Sequence, residues 1–163
     1  MSPYLRKLRD KVGHELLLLP SVGAIVWNDE GHVLLQQRQD TGIWDIPGGA
    51  LDPGEEPAQS LVREVWEETG LVVVPRGIVG VFSGQLCHIL YPNGDEAQYM
   101  LAVFECQKIR GSLGCHDGES TNVQWFPPDR LPPLNRPYPH WMFERGRRGL
   151  PFEWDPAWLE PLR

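Results

Sequence analysis

The sequence predicts an α+β or mixed α/β domain. Two observations carry that expectation. Short β-branched and aromatic runs, separated by Gly, Pro and Asn turns, recur along most of the chain, and one strong amphipathic helix with a weaker one after it stands among them. A length of 163 residues suits a single domain with an ample core, and 41% hydrophobic with 23% charged residues is an ordinary globular balance. Residues 1–163 are therefore read as one domain, with a core over about 20–130 and an extension at each end.

The elements follow in order. Tyr4 to Lys11, with Leu5, Leu8 and Val12 near helical spacing, reads as a peripheral helix. Leu16 to Leu19, ahead of Pro20, reads as a first strand or an apolar lead-in. Val22 to Trp27 is a β-branched strand, Asn28-Asp29-Glu30-Gly31 a turn, and Val33 to Arg38 the strand that completes a hairpin. Ile43 to Ile46 is a short strand running into Pro47-Gly48-Gly49. A helix follows, with Pro57 in its first turn and Gly70 at its C-terminal cap. Val72 to Val74 and Gly77 to Ser83 read as strands. Leu86 to Tyr91 and Gln98 to Gln107 flank Pro92-Asn93-Gly94-Asp95, where Asn-Gly signals a hairpin. Val123 to Phe126 is the last clear strand, and Pro127 to Pro133 a proline-rich turn. Arg136 to Arg147 reads as a weak helix interrupted early by Pro137 and Pro139. The tail from Pro151 to Leu162 holds Phe152, Trp154 and Trp158, too aromatic for a free linker. It is expected to dock on the body or on a partner subunit, the latter giving a homodimer.

A formal net charge of −7 argues against a polymeric nucleic acid as partner, though not against a nucleotide substrate, because bound metal inverts the local field. The three cysteines, Cys87, Cys106 and Cys115, are odd in number and fit no zinc spacing, so they read as thiols in a reducing compartment. No apolar run reaches membrane-spanning length and the N-terminus lacks a basic-then-apolar signal, which makes the cytoplasm the expected location.

The chemistry is concentrated between Gly49 and Leu71. Successive helical residues turn by about 100°, so with Glu64 at zero, Glu68 lies at roughly +40° and Glu67 at roughly −60°. Leu61, Val65, Ala58, Val62 and Trp66 fill the arc from roughly +60° to +200°. The helix is thus apolar on one side and carboxylate-rich on the other. Glu64 and Glu68 are a like-charged i, i+4 pair, which destabilises a helix unless something compensates. A hard divalent cation such as Mg²⁺ would, since it prefers oxygen ligands and shares its shell with phosphates. A solvated acidic face is the bland alternative. Against it stand Arg63, at i, i+4 to Glu67, and the glycine loop before the helix, which permits close backbone approach.

Gly49, Glu55, Arg63, Glu64, Val65, Glu67, Glu68, Gly70 and Leu71 fill every fixed place of the pattern G-x₅-E-x₇-R-E-U-x-E-E-x-G-U, with U a bulky aliphatic residue. This pattern is the Nudix box, and the chain resembles a Nudix hydrolase from about Val22 to Pro128. The resemblance implies an α/β/α sandwich around a mixed sheet, which the strand pattern by itself does not select. It implies that Glu64, Glu67 and Glu68 bind Mg²⁺ or Mn²⁺, and that Glu64 or Glu67 deprotonates the attacking water. Gly48 and Gly49 would offer backbone groups to the metal or the diphosphate. Glu55 and Arg63 read as structural partners that hold the box carboxylates. Outside the box, Glu119 is a candidate base or ligand, Arg38 a candidate phosphate contact, and Trp44 either a base-stacking residue or part of the core. The implied activity is hydrolysis of a nucleoside diphosphate linked to a group X, with nucleoside triphosphates first and dinucleoside polyphosphates or nucleotide sugars after them. A non-catalytic nucleotide-binding or regulatory module on the same fold is the alternative, and an isomerase a more distant one.

Overall fold

The computed structural model describes residues 2–116, 118–144 and 159. Two long strands, β1 (Leu17–Trp27) and β6 (Glu96–Gly111), run parallel in continuous register from Leu17 opposite Ala97 to Trp27 opposite Gln107. On one side of this pair, β2 (Val33–Arg38) folds back from β1, with Trp27 opposite Val33 at the closed end of the hairpin. β2 also pairs with β3 (Trp44–Asp45) and, antiparallel, with β7 (Ser120–Phe126). On the other side, β4 (Leu71–Phe82) and β5 (His88–Leu90) run antiparallel to β6. The result is a mixed seven-stranded sheet with the central order β3-β2-β1-β6-β4. The expected α+β class is the observed one.

Several boundaries differ from the sequence reading. β1 runs straight through Pro20. The even-numbered N–H groups of Val22 and Ala24 point to the neighbouring loop, so Pro20 lacks a donor that the β6 ladder does not require. β4 likewise continues through Pro75, and its pairing with β6 shifts register between Pro75 and Gly77. The strand expected over Leu86 to Tyr91 is shorter, because Gly84–Cys87 forms a 3₁₀ turn that buries Cys87. The Asn-Gly hairpin forms as expected, closed by Tyr91 N to Asp95 O at 2.8 Å and Gly94 N to Tyr91 O at 2.9 Å.

Alternation along the strands makes two cores. Val22, Ala24, Val26, Leu34, Val73 and Phe104 pack against Leu61 and Val65 of α2 (Pro57–Thr69). Ile25, Trp27, Val33, Leu35, Leu101 and Val103 face the opposite way, toward Cys87, Tyr138, Met142 and Phe143. Among the described residues that third layer is a proline-rich segment ending in a 3₁₀ turn at His140–Phe143, where a weak helix from Arg136 was expected. Pro137 and Pro139 cannot donate the helical hydrogen bonds. Residues 145–147 of that expectation, and the tail apart from Leu159, lie outside the described residues, and so does the tail-mediated homodimer. Leu159 O accepts from Arg110 Nη2 at 3.1 Å.

The N-terminal helix α1 (Pro3–Val12) buries none of its residues. Arg9 pins it, donating to Glu96 O at 2.8 Å and Glu15 O at 2.7 Å. Among the described residues no helix is long and apolar enough to cross a membrane.

Candidate active site

The loop before α2 is stitched to β1 at alternate residues. Ala24 N donates to Pro47 O at 2.8 Å, Val22 N to Gly49 O at 2.9 Å, and Leu51 N to Pro20 O at 3.2 Å. This close approach explains the double glycine. A Cβ on Gly48, whose φ is 150°, would stand 2.1 Å from Val22 O, and one on Gly49 would stand 2.6 Å from the Glu64 carboxyl carbon. Gly48→Ala is therefore expected to cost about 3 kcal/mol or more, since backbone on both sides must move. A thermal midpoint equal to wild type would show that the loop lifts off β1 freely.

α2 begins at Pro57, with Glu56 N donating to Gln59 Oε1 at 3.3 Å, and ends at Gly70 in the left-handed region at φ 71°. Ala58, Leu61, Val62 and Val65 are buried as the helical arc predicts. Arg63 gathers the carboxylates. It donates to Glu55 through Nε at 2.7 Å and Nη2 at 2.9 Å, to Glu64 Oε1 at 2.8 Å and to Glu67 Oε2 at 3.0 Å. Burial acts to raise the Glu55 carboxyl, but its bonds to Arg63 and to the Asp52 N–H outweigh that and hold it below the usual carboxylate range. Burial pushes the Glu64 carboxyl up to about 7, against the pull of Arg63 and with repulsion from Glu67 and Glu119 adding to the rise. A group of like-charged carboxylates at the mouth of a cavity favours a cation between them.

Glu68 is only 4% exposed, although the helical projection placed it on the open side. Its Oε2 accepts from Gly48 N at 2.7 Å and its Oε1 from Gln36 Nε2 at 3.1 Å. The Gly48 N–H, expected to face the diphosphate, is thus committed to Glu68. Gln36, buried on β2, accepts in turn from Ser120 Oγ at 2.7 Å. Neither Gln36 nor Ser120 stood out in the sequence. The one available signal was a polar residue continuing the apolar run Val33-Leu34-Leu35.

These groups open onto one cavity of about 1010 Å³. Its lining includes Glu64, Glu67, Glu68, Gly48, Gly49 and Glu119, together with Arg6, Arg9, Arg38, Arg136, Tyr91 and Tyr99. Asp40, Asp45 and Asp95 line it as well, so the lining mixes carboxylates with arginine and tyrosine side chains. Arg38 is paired with Asp40 at 2.6 Å, and Arg136 with the buried Asp45 at 2.7 Å. Tyr91 and Tyr99 share a hydroxyl–hydroxyl bond of 2.7 Å. Trp44 is the exception among the expected residues. It packs edge-on against Phe126 with ring centroids 4.8 Å apart and is not part of the cavity lining, an arrangement in keeping with the packing alternative.

The donor set is all carboxylate and carbonyl oxygen, which suits Mg²⁺ or Mn²⁺. Among the described residues no three acidic, His or Cys side chains converge to close a metal shell by themselves. Arg63 holds one oxygen each of Glu64 and Glu67, and such an open set matches a cation that keeps waters and takes phosphate oxygens.

The fold and this carboxylate-lined cavity define a class, and comparison with known proteins agrees with it. A profile of the NUDIX domain matches residues 17–145, and the chain belongs to that family. A MutT-like protein of Streptomyces ambofaciens is 35% identical over 111 residues, covering 68% of this chain and 65% of that protein, somewhat under two thirds of the relative's length. An RNA pyrophosphohydrolase of Azorhizobium caulinodans is 29% identical over 150 residues, covering 79% and 89%. The crystal structure of a UDP-X diphosphatase superposes with a TM-score of 0.66 at 25% identity, covering 91% of this chain and 73% of that one. The family generally uses divalent metal ions.

Proposed function

We propose that the chain is a divalent-metal-dependent pyrophosphohydrolase, which cleaves a nucleoside diphosphate linked to a further group by attack of water on phosphorus. One observation carries the reading: the box carboxylates, clamped by Arg63, line one cavity together with arginine and tyrosine side chains. Two of the three similar proteins named above are a diphosphatase and a pyrophosphohydrolase, which is the same bond chemistry.

Glu64, Glu67 and Glu68, with the Gly49 carbonyl, would hold Mg²⁺ or Mn²⁺. When bound, the ion lowers the pKa of water and neutralises phosphate charge. Glu64 or Glu67 takes the proton of the attacking water, and Glu119 stands beside them as auxiliary base or ligand. Arg63 fixes the carboxylates. Arg38 binds phosphate oxygens. Nucleoside triphosphates are the leading substrates, followed by dinucleoside polyphosphates and nucleotide sugars. The net charge of −7 disfavours polymeric RNA. The thiols and the composition suit the cytoplasm.

Product analysis of a nucleotide panel, with a 5′-triphosphorylated RNA included, tests this by following the nucleoside monophosphate and the pyrophosphate or phosphorylated group released. Hydrolysis is expected with Mg²⁺ or Mn²⁺, to vanish on chelation, and to return on metal addition. Full activity in excess chelator would overturn the reading, and inactivity on the whole panel with metal present would favour the binding module.

A further inference from the structure

We infer that Gln36 and Ser120 are positioning residues of this site: Ser120 sets the orientation of the Gln36 amide, and Gln36 fixes the Glu68 carboxylate. The inference rests on the reading of the box carboxylates as a cation site. Gln36 continues the side of β2 that carries Leu34, a position whose packing against α2 calls only for an apolar residue. It is instead an amide only 2% exposed. The direction of its hydrogen bonds is set by charge. An ionised Glu68 accepts and cannot donate, so the Gln36 amide nitrogen must face it. The amide oxygen then faces Ser120, whose hydroxyl donates to it. The opposite orientation would set the amide oxygen against a carboxylate.

Strand pairing supplies Ser120. β7 faces β2 in regular order from Phe126 opposite Val33 to Asn122 opposite Gln37. The register then shifts, and Ser120 rather than Thr121 lies opposite Arg38. The shift leaves Thr121 exposed and buries Ser120 against Gln36, the re-aiming of a side chain for which β-bulges serve. Gln39 N donates to Glu119 O at 2.8 Å in the same pairing, so the bulge that seats Ser120 also seats Glu119 at the cavity. Gly48 N on Oε2 and Gln36 on Oε1 thus hold both oxygens of Glu68 from the protein side.

The test is titration of the purified full chain with Mn²⁺ alone, following free Mn²⁺ by its electron paramagnetic resonance signal. Glu68→Gln is the reference for loss. Gln36→Met fills the same volume without the amide and is expected to weaken binding about tenfold. Ser120→Ala is expected to weaken it by a smaller factor, and Ser120→Thr, which keeps the hydroxyl, to restore it. At saturating Mn²⁺ the substrate KM should stay at the wild-type value in all the Gln36 and Ser120 variants. Wild-type Mn²⁺ affinity in Gln36→Met and Ser120→Ala, with loss in Glu68→Gln, would overturn the positioning role alone. Wild-type affinity in Glu68→Gln as well would overturn the cation site and the inference with it. If Gln36→Met does not fold, the Ser120 pair decides.

Discussion

Glu68→Gln is expected to lower kcat on the order of a hundredfold or more, while Glu30→Gln leaves it at the wild-type value. The two substitutions remove the same charge and keep the same size, so their difference isolates position. Glu30 sits in the turn between β1 and β2, largely exposed, with a 3.4 Å contact to His32. Glu68 is buried at the cavity, and both of its oxygens accept hydrogen bonds. An amide has only one oxygen, so in Glu68→Gln the new NH₂ must face either Gly48 N–H or the Gln36 amide. If it faces Gln36, that amide turns over and donates to the Ser120 hydroxyl, so every donor keeps an acceptor. The thermal midpoint should therefore stay close to wild type while activity is lost. Equal kcat losses from both substitutions would show that the box helix is not the active site. A normal kcat for Glu68→Gln would remove Glu68 from the cation site.

What the sequence disclosed and what it concealed differ in physical kind. The helix Pro57–Thr69 was legible because its apolar arc, its first-turn proline and its capping glycine are local signals. The carboxylates and Arg63 were legible because they share that helix. The burial of Glu68 was not, since it depends on how closely the Gly48 loop lies on β1. Pro20 and Pro75 suggested breaks because proline lacks an N–H, but whether a strand needs that N–H depends on which side its neighbour lies. Gln36 and Ser120 are 84 residues apart and meet through a register shift, which no local pattern encodes. Asp45 and Arg136 were invisible for the same reason: their bond spans 91 residues.

That bond sets the second large effect. Arg136→Met is expected to destabilise the fold by about 3–5 kcal/mol, because it strands a buried carboxylate. For a chain of this size the loss corresponds to roughly 6–20 °C in thermal midpoint. The Asp45 side chain is 1% exposed. Its Oδ2 accepts from Arg136 Nη1 at 2.7 Å and Asn135 Nδ2 at 3.3 Å, and its Oδ1 from the Tyr138 hydroxyl at 2.8 Å and Ile46 N at 2.9 Å. Arg136 also lies over the Tyr99 ring, 5.7 Å from its centroid. Methionine keeps the apolar stem and removes the one cation paired with Asp45 among the described residues, leaving the carboxylate to neutral donors. Asp45→Asn should be comparably costly, since it leaves the Arg136 charge buried against an amide. The double substitution should lose less than the sum of the two, because neither charge is then stranded. The consequence reaches the active site through strand pairing: Asp45 lies opposite Gln36 in β3–β2 and leads directly into Ile46, Pro47 and Gly48. Denaturation curves of the three variants decide the matter. A midpoint for Arg136→Met within 2 °C of wild type, on the scale of about 2–4 °C per kcal/mol, would show that water reaches Asp45 and that the pair does not hold the proline-rich layer to the sheet.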